Sequence, residues 1–507
     1  MPIRNLISKP FGLRSSIAVN IAANVVSAIV FIASVPLYLP YIGVEAYGLV
    51  GIFVALQGVL MVLDLGLNVA ITREFAVKGN DPTRSGEIHD LLRTAEIFYW
   101  VLTVLTALVW LTVARTASTY VNPEGLSPDT VYNCFLIMGI PLALQFPLSL
   151  YSAGLYGMQR QALVSGIGVV FAVARSLGVV AALRFISASP ETYFIWNAGL
   201  MGLQVPVLAL ALRWAMPATD RKPRFESSML TSQWRFVAGI GVVTLASTIL
   251  LQTDKFVLAR MFPLEVFGFY SLAATVAAGL QWLVQPVFRG VFPQLAQSAE
   301  TGDQTTLTRV YHQGCQIMAI IILPISTVLV FFSWETMMLW QRNPETASNT
   351  YISLSLLMAG CALNALLFVP YALQLAFSST RLQLITLVAG LAVSIPTTIA
   401  FASYWGPPGA AAVWLILNVL FLAITVPLTH RRFLAGEAAR WGVHDVLMPL
   451  SAAVVAGALA KYFYRETDSF VLIAVQLAMV FGFVSICCVL ASDIARNMLF
   501  RHSETLT

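Results

Sequence analysis

EAYGLVGIFVALQGVLMVLDLGLNVAITREFA, residues Glu45–Ala76, is the stretch on which the fold turns. Between Gly48 and Ala70 only Gln57, Asp64 and Asn68 interrupt an otherwise apolar run. As a helix that run is roughly 35 Å long, and a bilayer core is about 30 Å thick. Gln57, Asp64, Asn68 and Thr72 recur at helical spacing and share one stripe. A barrel strand would alternate with a two-residue period. This stretch does not.

Working outward, the same texture fills the chain. Of 507 residues 58% are hydrophobic and 10% charged, against about 25% charged in an ordinary soluble domain. So little charge cannot cover a soluble fold. Helices satisfy every backbone hydrogen bond internally, so they are the expected spanning element. Apolar runs near 16–39, 46–70, 94–114, 130–152, 162–183 and 191–212 form a first series. A second follows near 236–258, 264–288, 311–333, 351–374, 383–403 and 408–429, and two more runs lie near 446–463 and 470–491. The expectation is an all-α polytopic membrane protein with about fourteen transmembrane helices. The first run is too long for the 7–15-residue apolar region of a secretory signal.

Lys and Arg set the orientation, because cytoplasmic loops are enriched in them. With the N-terminus inside, 21 of the 28 loop or helix-end cations fall on the inner side and 7 on the outer. Both termini are therefore expected in the cytoplasm. The net charge of +5 is dispersed among short loops, where it serves topology, and nucleic acid is not an expected partner. The five cysteines, Cys134, Cys315, Cys361, Cys487 and Cys488, lie in apolar segments without metal-ligand spacing. They read as small packing residues, and no metal or cofactor is expected.

The two halves of the chain resemble each other. VEAYGL at Val44–Leu49 parallels LEVFGF at Leu264–Phe269, displaced by 220 residues, and YGMQRQAL ending at Leu163 parallels FSSTRLQL ending at Leu384. Six helices is an even number, so the repeats share one orientation, as in transporter halves related by an axis along the membrane normal. The expected divisions are a six-helix lobe over 1–212, a basic cytoplasmic linker over 213–235, a second six-helix lobe over 236–432, and two further helices with a tail over 433–507.

Glu45–Ala76, LYGMQRQA at the end of helix 4, and QTDKFVLARMFPLEVFGFYSLA at Gln252–Ala273 carry a resemblance to a known family. They are similar to bacterial polysaccharide flippases, the oligosaccharidyl-lipid branch of the multidrug/oligosaccharidyl-lipid/polysaccharide (MOP) exporter superfamily. The resemblance implies the MOP exporter fold and the flipping of an undecaprenyl-pyrophosphate-linked oligosaccharide from the cytoplasmic to the outer leaflet by alternating access. It also implies a bacterial inner-membrane location, a role in surface polysaccharide (O-antigen, capsule or exopolysaccharide) synthesis, and a polysaccharide polymerase as a further candidate partner. Two competing readings stand beside it. One is a multidrug or small-solute antiporter of the same superfamily; the other is a membrane-embedded polymerase or ligase. The longest outer connections, 115–129 and 334–350, are short for such an enzyme, and no G-x-x-x-x-G-K-[ST] loop is present for direct ATP coupling. The chain is expected not to be an enzyme.

Ionisable groups inside spans cost about 2.5–3.5 kcal/mol each at a helix centre on insertion scales, so each needs an account. Arg175 sits near the middle of helix 5 beside Gly168, Ala172, Val179 and Ala182. It is the leading substrate-binding candidate, because a planar guanidinium forks onto phosphate oxygens. An interhelical tie to Asp64 or Asp254 is the alternative. Asn20 and Asn24 on helix 1, with Gln281, Gln285 and Arg289 on helix 8, are further candidates for sugar or phosphate. Asp64, Asp254 and Lys255 are candidates for coupling or gating, weighed against helix-end hydrogen bonding for Asp64 and local pairing for Asp254 and Lys255. The positive-inside count yields a test: a reporter fused after Thr507 or within Arg221–Arg224 should read cytoplasmic, and one between Asn122 and Pro128 external. Termini on opposite faces would sink the fourteen-helix count.

Overall fold

The computed structural model describes residues 13–64, 67–79, 84–219, 221–225 and 234–493, without the side chains of 13–21, 24, 63 and 234–243. The chain divides into two compact units, Met1–Gly268 and Phe269–Thr507. Among the described residues, twelve helices are long and apolar enough to cross a membrane, and no strand is present beyond one isolated bridge between Asn122 and Pro263.

In the first unit, α1 runs Leu13–Met61 and contains a break at Gly43, whose φ of 80° and ψ of 164° no helix accommodates. The sequence expectation of two helices, 16–39 and 46–70, corresponds to its two limbs. Nine residues at 100° each would put Tyr38 and Tyr47 on opposite faces of a straight helix, about 13.5 Å apart along its axis. Their rings instead stack with centroids 6.3 Å apart, so the chain folds back at Gly43. Gly, without a Cβ, adopts the positive φ at no steric penalty. With the second limb of α1 and with α7 (Trp234–Met261) added to the twelve, the spans number the fourteen expected from the sequence.

The second limb passes through a 3₁₀ turn, Val62–Asp64, into α2, Leu67–Lys78. Next come α3 (Ser85–Ser118), α4 (Pro128–Gly157), α5 (Gln161–Phe185) and α6 (Pro190–Ala215). The starts of α4 and α6 are written locally as SPDT and SPET. Ser127 and Ser189 each accept a hydrogen bond from the backbone N–H three residues on, at Thr130 and Thr192. Such a cap contributes about 1 kcal/mol. The proline that follows is preset for the first helical turn.

The helix α3 extends well beyond the expected 94–114, because its polar inner end is satisfied by the linker. Arg213 pairs with Glu96 at 2.6 Å and Arg221 with Asp90 at 2.9 Å. Cations read from the sequence as topological signals thus also neutralise two buried carboxylates.

The first turn of α8 (Leu264–Ala278) packs within this unit against the bend of α1. A Cβ on Gly48 would lie 2.6 Å from the Leu264 carbonyl oxygen, and one on Gly268 would lie 2.1 Å from that of Val44. Val44 and Gly48 are related to Leu264 and Gly268 by the same 220-residue displacement, so the two copies of the motif clasp each other reciprocally, backbone to backbone.

The second unit continues with α9 (Gln281–Thr301), α10 (Gln304–Phe331), α11 (Ser333–Gln341), α12 (Pro344–Leu366), α13 (Phe368–Ala376), α14 (Arg381–Trp405) and α15 (Pro407–Phe433). A short α16 (Ala438–Arg440) leads through a π-helix, Trp441–Leu447, into α17 (Met448–Phe463), and α18 (Phe470–Ala491) ends the described chain. The expected outer connection 334–350 is instead mostly helical, forming α11 and the start of α12.

The turns before α5 and α14 repeat hydrogen bond for hydrogen bond. Arg160 N–H donates to Leu155 and Gln159 N–H to Tyr156, while Ser379 N–H donates to Gln374 and Ser378 N–H to Leu375. Gln159 and Ser378 both take positive φ, 58° and 53°. The geometric displacement here is 219, so Arg160 corresponds to Ser379, and Arg381 stands two residues further on.

Large apolar side chains face outward along α18, among them Leu472, Met479 and Ile486, as a lipid-solvated helix requires. Buried polar groups pin α17 and its approach at both ends: His312 of α10 meets Asp445 of the π-helix, and Glu335 of α11 meets Lys461. The reciprocal clasp yields a prediction. Gly48→Val or Gly268→Val drives a side chain into a backbone carbonyl that cannot rotate away, so each should lower stability by about 1–3 kcal/mol. Thermal unfolding of purified protein checks this; unchanged melting in both variants would refute the close approach.

Candidate functional site

Arg175 lies on α5, whose partner across the first unit is α1. Beside it is a cavity of about 170 Å³, whose lining includes Ser34 and Tyr38 from the first limb of α1, Gln57 from the second, and Tyr193 and Asn197 from α6. Small residues on the Arg175 face make the room. Ala172 and Val179 line the cavity, and a Cβ on Gly168 would meet nothing within 4 Å. Tyr38 and Tyr193, with ring centroids 5.3 Å apart, form an aromatic wall.

The guanidinium is held by neutral groups. Its Nη2 donates to Gln204 Oε1 at 2.8 Å, and its Nε points back to the Phe171 carbonyl at 3.4 Å. Among the described residues no carboxylate forms an ion pair with it. Gln204 is itself buried, a lone amide in an apolar stretch of α6 that sequence reasoning missed. Its partner stands 29 residues away, and no local spacing connects the two.

Asp64 is elsewhere engaged. It occupies the 3₁₀ turn that breaks the second membrane limb, where Tyr99 Oη donates to one carboxylate oxygen and Ser149 Oγ donates to the other at 2.7 Å. Asn68 Nδ2 in turn donates to Ser149 Oγ at 2.7 Å, and Thr72 Oγ1 bonds the Asn68 and Ala153 carbonyls. Of the polar stripe read from the sequence, Asp64, Asn68 and Thr72 therefore tie the broken helix to α3 and α4, while Gln57 lines the cavity beside Arg175. The alternative role for Arg175, an ion pair with Asp64, is not the arrangement present.

Asp254 and Lys255 of α7 pair locally at 3.3 Å, and Lys255 also bonds the Leu251 carbonyl at 3.0 Å. The remaining candidates fall in the second unit or outside the described side chains. Gln281 belongs to the second unit, with Nε2 3.5 Å from Asn364 Oδ1, and Asn364 in turn donates to Asn418. Gln285 and Arg289 are exposed on α9. Asn20 and Asn24 lie outside the residues whose side chains are described.

A half-buried cation with neutral partners is an anion receptor in chemical terms: the guanidinium fork keeps donors that Gln204 and one carbonyl do not exhaust. Hydroxyls and amides from Ser34, Gln57 and Asn197 suit a polyhydroxylated or phosphorylated group. At 170 Å³ the cavity is smaller than the roughly 300–1,000 Å³ of a drug-sized site, so it fits a head group and not a whole oligosaccharide.

Comparison with known proteins gives a consistent family. A model described as "Polysaccharide biosynthesis protein" matches residues 13–299. A Shigella flexneri protein named for O-antigen transport is 21% identical over 79% of this chain and 94% of its own length. The Bacillus subtilis membrane protein EpsK is 23% identical over 92% of this chain and 94% of its own. Among solved structures, the lipid II flippase MurJ in an inward closed conformation superposes with a TM-score of 0.70 at 12% identity, covering 96% of this chain and 99% of that one. An inward-facing multidrug resistance MATE family transporter of the MOP superfamily gives 0.67 at 12% identity, covering 82% and 96%. The fold is therefore that of MOP exporters.

The Asp64 network yields a prediction independent of transport. An amide at position 64 can accept from only one of the two hydroxyls and turns a donor toward the other, so Asp64→Asn should destabilise the protein by about 1–3 kcal/mol. Removing Arg175 should not restore it. Recovery of the melting temperature in the Asp64→Asn, Arg175→Ala double variant would show that the two residues form a charge pair after all.

Proposed function

The chain belongs to the polysaccharide biosynthesis protein family, and from that premise we propose that it is a flippase carrying an oligosaccharide linked to a lipid diphosphate across the bilayer. The observation that carries the reading is Arg175: a cation in a membrane-spanning helix, beside a cavity, held by neutral groups. A diphosphate supplies the missing negative charge. Undecaprenyl pyrophosphate is the carrier that the sequence resemblance implies, and movement is from the cytoplasmic to the outer leaflet of the bacterial inner membrane.

The chemistry required is modest. No bond is made or broken; the protein must lower the barrier to moving a doubly charged head group and its sugars through hydrocarbon. Arg175 offsets the phosphate charge in a medium of low dielectric constant, where the attraction is far stronger than in water. The amide and hydroxyl groups around it replace hydration of the adjoining sugar. The lipid tail needs no cavity, because it stays in the bilayer while the head group crosses. The name of the Shigella flexneri relative and the lipid II flippase description of the structural neighbour both support this reading.

The test is transport by Arg175 variants in cells or proteoliposomes, normalised to folded protein in the membrane. Loss of one charged, forked contact to phosphate removes about 1.5–3 kcal/mol, so Arg175→Ala should reduce flipping by roughly tenfold or more. Arg175→Lys, which keeps the charge but not the fork, should fall between. Because its partners are neutral, neither variant strands a buried charge, and normalising to folded protein removes the cost of the Gln204 hydrogen bond that Arg175→Ala gives up. Wild-type flipping by Arg175→Ala would overturn the assignment. Assembled lipid-linked units collecting on the outer leaflet of a null strain would place the protein after flipping instead.

A further inference from the structure

The second unit holds a separate cluster of titratable groups that the substrate reading does not use. His312, on the first third of α10, is buried, and both of its ring nitrogens face carboxylates. Nδ1 meets Asp445 Oδ2 on the π-helix, and Nε2 meets Glu437 Oε2 in the segment before α16 at 3.1 Å. Asp445 is fully buried, and its other oxygen accepts from Gln316 Nε2 at 2.9 Å. Gln316 also reaches Asp493, past the end of α18, at 3.3 Å.

Proton counting decides what this arrangement is. Two hydrogen bonds run from one imidazole to two carboxylates, and carboxylates only accept. A neutral imidazole brings a single N–H. The geometry is therefore complete only with one additional proton, which makes the ring an imidazolium between two anions. An imidazole is a stronger base than a carboxylate, so the ring is the group that holds it.

We propose that His312, Asp445 and Glu437 form a proton-binding site that fastens the C-terminal helix pair, α17 and α18, to α10. A second observation points the same way. His430, at the end of α15, is buried and donates from Nδ1 to the Val426 carbonyl at 2.9 Å, which leaves its Nε2 a lone pair without a partner. The Tyr311 ring stands between the two histidines, 5.4 Å from each. A buried, unpartnered proton acceptor thus adjoins a triad that needs a proton.

The surrounding charges are few. Arg440 approaches Glu437 at 3.9 Å, and His444 approaches Asp493 at 3.9 Å. Cys315, Tyr311 and Trp441 are buried beside the triad, and Arg431 and Arg432 at the end of α15 are exposed. Glu437 is 29% exposed where Asp445 is 0%, so Glu437 is the route by which the proton exchanges with water. Loss of the proton sets a nitrogen lone pair against a carboxylate oxygen. The fastening therefore holds while the ring carries both protons and is released when one of them is lost. The π-helix that carries Asp445, a geometry frequent at functional sites, is the segment freed.

The experiment uses full-length protein in lipid nanodiscs, labelled with ¹⁵N-histidine. At about pH 7.5, where an ordinary histidine is mostly neutral, one imidazole should show both nitrogens protonated, and its signal should vanish in His312→Gln. Glu437→Gln is the sharper variant. Its amide can donate to or accept from Nε2, so the protein stays folded and the imidazolium should revert to a neutral ring. In parallel, hydrogen exchange of 438–463, corrected for intrinsic rates, should show protection falling about tenfold or more between pH 6 and 8.5 in the wild type and hardly changing in Glu437→Gln. A neutral His312 at pH 7.5 in the wild type would overturn the proposal. So would an imidazolium that persists in Glu437→Gln, or protection that is flat with pH.

Discussion

A charge or an unpaired backbone group in hydrocarbon has no water to turn to, and most of the features of this protein answer that constraint. Helices remove the backbone problem along each span. Side-chain charges must then be neutralised singly, and the structure does so in distinct ways. Asp64 is held by two hydroxyls and the Asn68 network. Asp254 and Lys255 pair within one helix, Glu335 takes Lys461, and the linker arginines cover Asp90 and Glu96. Among the described residues, Arg175 is answered instead by an amide and a carbonyl, which is the ground for the proposed anion-binding role.

The same constraint governs where helices break. A break frees carbonyls and N–H groups, which is tolerable at membrane depth only where protein covers them. The interruption after Met61 coincides with Asp64 and its hydroxyl partners. The one after Ala278 leads into Gln281, which reaches Asn364 near the interruption at Leu367. Each unit thus places polar side chains at its discontinuities. The bend at Gly43 is handled differently, by the reciprocal close approach of Gly48 and Gly268 to backbone carbonyls. That contact explains why the repeated motif keeps its glycine in both copies, since any Cβ would separate the two backbones.

Much of this was legible in the sequence because the signals are local. Apolar runs gave the spans, and VEAYGL with LEVFGF gave the repeat. The small face beside Arg175 was readable at helical spacing and corresponds to the cavity. What could not be read depends on partners distant in the chain. Gln204 is 29 residues from Arg175. The partners of His312, Glu437 and Asp445, lie 125 and 133 residues away. The displacement of the YGMQRQAL repeat was misjudged by two residues, since side-chain likeness aligned Arg160 with Arg381 while the hydrogen bonds align Arg160 with Ser379. Turn geometry fixes backbone positions, and an arginine reaching to an inner membrane surface can do so from either neighbouring site.

Taken unit by unit, the two halves of the repeat have diverged in electrostatic character while retaining their turn geometry. The first leaves a cation short of an anion and sets a cavity beside it. The second gathers carboxylates around an imidazole and is short of a proton. Both carry a desolvation cost that apolar residues at positions 175 and 312 would avoid. Their presence in a chain where only 10% of residues are charged therefore argues for binding, of an anion in one unit and of a proton in the other. The two sites differ in how completely they can be emptied. An arginine stays charged at any physiological pH, so the cation of the first unit is permanent. A histidine can gain or lose a proton near neutral pH, so the proposed site in the second unit, unlike the arginine, is one whose charge can change.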